Sequence, residues 1–320
     1  MVGPFRDTSR PGPNARYWFT GMTSTGSAFG LNALEGLQSI WKRWSARLVC
    51  LFLLLPGLFF IGTLLAVPAF QIIDTSLRST SDADAYGLQN YVALLSDEYY
   101  FAIVIRTLAI AVVTTLICAV LGYPVGYFLA RNRSRYRFVV FIAVVSPLLV
   151  SAIIRTIGWT IILGNEGLLN TSLMLLGLIT DPLQFLGNFW SVVLGLVHLL
   201  LPFMILPIAV AIGQIDDNVI EASYVMGATP QAAFIKVVLP LSARGISAGA
   251  VIVFCLSIGA YVTPQWLSLG KLNLMTRVIY DAMLVYVDWP QASAVAILLG
   301  CIIFAVVGLQ RTLTRRFERR

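Results

Sequence analysis

The sequence predicts an all-α polytopic membrane protein with six transmembrane helices. Three observations predict it. The 320 residues are 58% hydrophobic and only 12% charged, about half the charged share of a soluble domain. The apolar residues gather into six runs, each near the ~20 residues a helix needs to cross the hydrocarbon. Basic residues crowd alternate gaps between those runs, as they do where gaps alternate across a bilayer.

Taken in order, residues 1–28 are rich in Pro, Gly, Ser, Thr and Arg and read as a disordered tail. In residues 29–47, Leu34, Leu37, Trp41 and Trp44 recur at spacings of three and four, interleaved with Lys42, Arg43 and Arg47. That is the pattern of an amphipathic helix lying in the membrane interface. It either anchors the chain to lipid or clasps a partner subunit. A cleaved leader is not expected, because the first long apolar run begins at Leu48 and is long enough to span.

A six-helix domain follows over 48–310, with spans predicted at Leu48–Ile73, Phe101–Ala130, Phe138–Leu163, Phe189–Ile212, Ile246–Leu267 and Gln291–Leu309. Gly122-Tyr123-Pro124 predicts a kink or fraying near the end of the second, since proline lacks the helical N–H. A short surface helix is predicted within Tyr86–Tyr100. Residues 311–320 form a basic tail.

Of the 22 Lys and Arg residues, 17 fall on the side that holds both termini, three (Arg78, Lys271, Arg277) on the other, and two (Arg106, Arg155) inside spans. Both termini are therefore expected in the cytoplasm. The net charge of +7 is topological and excludes a nucleic-acid role. Cys50, Cys118, Cys255 and Cys301 lie in apolar runs without ligand spacing, which excludes a zinc site or disulfide framework. No nucleophile–base pair or His/Asp/Glu cluster points to an enzyme.

The stretch 213–245, between the fourth and fifth spans, carries the functional argument. Asp216-Asp217 can cap a helix running to about Met226. Gly227 suits the left-handed residue that ends it. Thr229-Pro230 restarts a helix, Thr as cap and Pro at the first position, and that helix is expected to end near Leu239-Pro240. The product is a polar helix–turn–helix suited to fit a groove on another protein.

Glu221, Ala222, Ser223, Gly227, Val237, Leu239 and Pro240 resemble the coupling-loop motif of inner-membrane permease subunits of binding-protein-dependent (type I) ABC importers, with Ser223 and Val237 replacing the usual alanine and isoleucine. The resemblance covers roughly 48–310. Ser151 to Trp159, Leu163, Gly167 to Asn170, Gly259 to Pro264 and Asp288-Trp289-Pro290 are similar to the spermidine/putrescine-type subgroup. The resemblance implies a permease fold in a bacterial inner membrane and no cofactor in this chain. It implies ATP and Mg held by two partner ATPase subunits, a second permease as heterodimer partner, and a periplasmic substrate-binding protein. The implied cargo is a polyamine, with opines, phosphonates or amino-acid-like solutes as alternatives. Glu221, Ala222, Ser223, Gly227, Pro230, Val237, Leu239 and Pro240 would then form the ATPase-coupling surface. The chain has no Gly-x-x-x-x-Gly-Lys-Ser/Thr nucleotide loop of its own.

Arg155, Trp159, Tyr261 and Thr263 are candidates for the substrate pathway. Arg155 is expected to pair with an acid such as Glu166 or with loop carbonyls, or to touch substrate directly. Trp159 and Tyr261 either stack on a cationic ligand or pack in the interface. Arg106 is expected to snorkel to the outer boundary. His198 is expected to be neutral and hydrogen-bonded. An ion-coupled secondary carrier is the competing reading, and the lack of an acid well inside a span opposes it.

Overall fold

A computed structural model describes residues 54–78 and 86–318, with side chains to residue 312. The predicted tail 1–28, the interfacial helix 29–47 and the first residues of the first span lie outside the described residues. So do the side chains of most of the basic tail.

The described chain is helical: four helices are long and apolar enough to cross a membrane, or six if each of two bent helix pairs is one span. The long four are α1 (Leu54–Leu77), α3 (Glu98–Arg131), α7 (Phe189–Gly213) and α14 (Trp289–Glu318), the last apolar as far as Thr312. The chain divides into two compact units, Met1–Ala69 and Phe70–Arg320. Within the first, the described residues are the opening turns of α1, nearly all apolar.

The second unit is built around α3, α7 and α11 (Ala243–Ile258), which pack on one another pairwise. Ile110 and Cys118 of α3, Val192, Leu196, Leu200 and Met204 of α7, and Val253 of α11 form one buried cluster. Close approach needs small residues where backbones meet. Gly126 of α3 is such a place: a Cβ there would lie 2.9 Å from Ile208 Cγ2 and 3.2 Å from the Ile205 carbonyl oxygen. A second cluster joins α2 (Gln89–Ser96), α3, α11, α13 (Met275–Leu284) and α14 through Leu94, Ile103, Phe254, Met275 and Val295. The predicted surface helix within Tyr86–Tyr100 is therefore the shorter α2. Its Tyr91 hydroxyl donates to Ser76 Oγ at 2.8 Å and its Asn90 amide to the Ser76 and Arg78 carbonyls.

Two predicted spans are not straight helices. The third divides into α4 (Tyr136–Leu149) and α5 (Ala152–Leu163); with α6 (Leu168–Leu175) continuing α5, the bend after α4 is 101°. Pro147 removes an amide near the end of α4, and Val150 is extended. The fifth stops at Ile258, and a separate short helix, α12 (Val262–Leu267), follows. Pro264 cannot donate to the Ala260 carbonyl as a continuing helix requires, and the Thr276 hydroxyl takes that carbonyl instead, at 2.9 Å. The fraying expected at Gly122-Tyr123-Pro124 does not occur. α3 stays helical to Arg131, its Gly122 and Gly126 buried. α7 likewise runs unbroken through Pro202 and Pro207.

Candidate functional site

The loop between α7 and α11 folds largely as its local chemistry dictates. Asp216 caps α8 (Asp217–Val225), its carboxylate accepting from the Asn218 amide at 3.0 Å. Gly227 takes φ +86°, the left-handed conformation that ends α8 at low cost only for glycine. Thr229 Oγ1 accepts from the Ala232 amide at 3.2 Å and Pro230 opens α9 (Pro230–Ala233).

The second helix ends at Leu241, one residue past the expected Leu239-Pro240. It reaches there through a π-helical turn, Phe234–Val238, and a short α10 (Leu239–Leu241), and the chain then bends 57° into α11. The π-helical turn accommodates Pro240. In the widened turn the Leu239 amide reaches the Phe234 carbonyl five residues back, so the chain passes the missing proline N–H without breaking.

Of the predicted coupling residues, Glu221, Ala222, Gly227, Pro230, Leu239 and Pro240 are exposed, and Val237 is half-buried. Ser223 is buried, and its hydroxyl donates to the Ile220 carbonyl of its own helix at 2.6 Å. At the tip, Val225 and Met226 are 89% and 82% exposed. Two adjacent bare apolar side chains beside a glycine turn are what a partner's groove would cover.

The loop is tied to the Arg131 end of α3 at two places that the sequence did not reveal. Arg131 pairs with Asp217 and donates to the Ile215 carbonyl, the latter at 3.0 Å. Phe234 meets the rings of Tyr123 and Tyr127 edge-on, and the Tyr123 hydroxyl shares a 2.9 Å hydrogen bond with Ser242 Oγ.

The predicted pathway residues divide into two groups. Arg155 donates to the carbonyls of Pro147 and Val150, which the bend after α4 sets free, while Glu166 is exposed. It therefore uses carbonyls and not the acid. Trp159 donates its indole N–H to His198 Nδ1 at 3.2 Å, which gives the histidine its expected hydrogen bond. Thr263 is buried and shares a 3.2 Å hydrogen bond with Thr156, tying α12 to α5. Tyr261 stacks on Tyr280 with ring centroids 4.6 Å apart. Tyr261 and Thr263, with Ala152, Leu200, Phe203 and Leu256, wall a cavity of about 280 Å³. Among the described residues, no group of three His, Cys, Asp or Glu side chains could hold a metal ion.

Residues 122–319 match the model of a protein family described as binding-protein-dependent transport system inner membrane component. The spermidine/putrescine transport system permease protein PotB of Haemophilus influenzae is 32% identical over 260 residues, covering 79% of this chain and 91% of that protein. PotB of Escherichia coli K12 is also 32% identical, covering 79% and 94%. The inner membrane ABC transporter permease protein YdcU of Escherichia coli K12 is 33% identical, covering 65% and 70%. Among solved structures, a bacterial ABC transporter involved in the import of the acidic polysaccharide alginate superimposes with a TM-score of 0.73 at 19% identity. That alignment covers 87% of this chain and 99% of the other, a likeness of fold.

Proposed function

This chain belongs to the family of binding-protein-dependent transport system inner membrane components, and from that premise we propose how it works as the permease subunit of an ABC importer. The observation that carries the coupling reading is the bare Val225-Met226 tip held between two capped helices. A separate ATPase subunit covers that tip. Each of two such subunits binds ATP and Mg, and this chain carries no cofactor.

The cargo is a polyamine such as spermidine or putrescine, a reading supported by PotB relatives matching over four-fifths of the chain. A periplasmic binding protein delivers it to the outer loops of this chain and of a second, related permease. Closure of the ATPases on ATP drives the loop, and the core alternates between outward and inward access. Both termini lie in the cytoplasm, as the crowding of basic residues on their side supports.

The test is gentle affinity purification of the tagged chain from its native membrane, followed by mass spectrometry and uptake of labelled spermidine by reconstituted vesicles. Recovery of an ATPase and a second permease, with ATP-dependent spermidine uptake, is expected. Recovery of the chain alone, transporting under an ion gradient, would replace this reading with a secondary carrier.

A further inference from the structure

We propose that Phe234, seated between Tyr123 and Tyr127 of α3, is the joint through which movement of the cytoplasmic loop reaches the membrane core. This rests on the docking reading above and goes beyond it by naming where the push is delivered.

Three observations carry the assignment. The Phe234 ring lies 5.6 Å from Tyr123 and 5.8 Å from Tyr127, at 89° and 76°, so one side chain engages two successive turns on one face of α3. Edge-on aromatic pairs of this kind are attractive beyond the area they bury.

Phe234 is also the first residue of the π-helical turn, between the docking tip and α11. Single π turns inside helices concentrate at functional positions. Here the wide turn lets a helical rod run from Pro230 past Pro240 to Leu241, before the 57° bend into α11, so a displacement at Pro230 reaches Phe234 without crossing a break.

Finally, the rod and α3 are fastened on both sides of the joint. Tyr123 bonds to Ser242 beyond the turn, and Arg131 grips Asp217 and the Ile215 carbonyl before it. The tip between these fastenings is exposed. α3 in turn closes on α7 at Gly126, which sits directly against the Ile208 side chain and the Ile205 carbonyl. A force on the tip is thus delivered sideways into α3, as well as along the chain through α7 and α11.

The experiment uses the whole complex, both permeases with ATPases and binding protein, in proteoliposomes. ATP hydrolysis and solute uptake are measured in the same vesicles. Phe234→Ala is expected to co-purify with the ATPase and hydrolyse ATP at the basal rate. The solute moved per ATP should fall about tenfold, the order of effect for two lost aromatic contacts in a coupled system. Phe234→Leu keeps bulk and loses the edge-on ring; it should show the same split, which covers the case in which the alanine variant does not assemble. Tyr127→Phe keeps the ring and should couple like wild type, whereas Tyr127→Ala should not. Wild-type uptake per ATP in both Phe234 variants would overturn the proposal. So would a proportional fall of hydrolysis and uptake together, which marks a merely structural role. Failure of the wild-type chain to recover any ATPase would instead sink the docking reading itself, and the joint with it.

Discussion

The loop between α7 and α11 and the polar cluster around Arg155 use their side chains in opposite ways. At the tip of the loop, polar groups are satisfied locally by caps and two apolar residues are left outside: Val225 and Met226 face solvent while Ser223 turns its hydroxyl into its own helix. Around Arg155, inside the spans, the polar groups are spent on holding helices together. Arg155 covers the carbonyls released at the break after α4, Trp159 holds His198, and Thr156 holds Thr263 across two elements. Exposed apolar surface marks a region waiting for a partner protein. Polar groups that satisfy one another inside a membrane region mark structure first, since an unpaired one is costly there. The contrast sets the exposed tip apart from Trp159 and Thr156, whose hydrogen bonds hold helices together; Arg155 is only partly satisfied, its Nε and Nη1 being buried without a partner among the described residues.

The comparison breaks most sharply at Gly227. Any other residue at φ +86° is strained, and tryptophan would add bulk at the tip. Gly227→Trp is expected to reduce ATP-dependent uptake by membrane vesicles to background while leaving the amount of inserted protein unchanged. Normal uptake would remove the loop from the mechanism.

Next in size is Arg155→Met. It removes the guanidinium donor from the Val150 carbonyl, while the Pro147 carbonyl keeps the Val150 amide at 3.4 Å, at a cost of about 1.5–3 kcal/mol for hydrogen bonds from a charged group. The Tm of the purified complex should fall by several degrees, while Glu166→Gln should leave it unchanged. A Tm drop in the glutamine variant equal to that of Arg155→Met would restore the acid pairing that the geometry disfavours.

Trp159→Phe removes a single hydrogen bond to His198. Its expected cost is about 1 kcal/mol, seen as a small Tm decrease with uptake per mole of folded complex preserved. A large loss of uptake without loss of stability would move Trp159 into the transport pathway. The smallest effect is expected for Ser223→Ala, because the hydroxyl serves only its own helix; stability should change by less than about 0.5 kcal/mol and uptake should stay at the wild-type level.

The same contrast explains what was legible in the sequence. Asp216, Gly227 and Thr229-Pro230 declare their roles within a few residues, because caps and left-handed turns are set by local backbone groups. Six apolar runs were legible from length. The breaks within two of them were not, although Pro147 and Pro264 stood in plain sight. A continuous apolar run reads as one span whether or not a proline ends the helix, and α3 and α7 continue past theirs. Which prolines break a helix depends on neighbours that take up the freed carbonyls, as the Thr276 hydroxyl does for Ala260 and the Ser146 hydroxyl for Ala143 here. The loop's attachment to α3 was also hidden: Tyr123 and Ser242 are 119 residues apart, and no local pattern joins them.

The most direct test of the central claim places a cysteine at the tip. Met226→Cys in the intact complex, treated with a short bismaleimide, is expected to cross-link to the ATPase subunit, with a yield that changes when ATP is added. The parent chain with its native cysteines serves as the control. A Met226→Cys chain that stays freely labelled by a soluble maleimide and forms no cross-link to the co-purified ATPase would contradict the account.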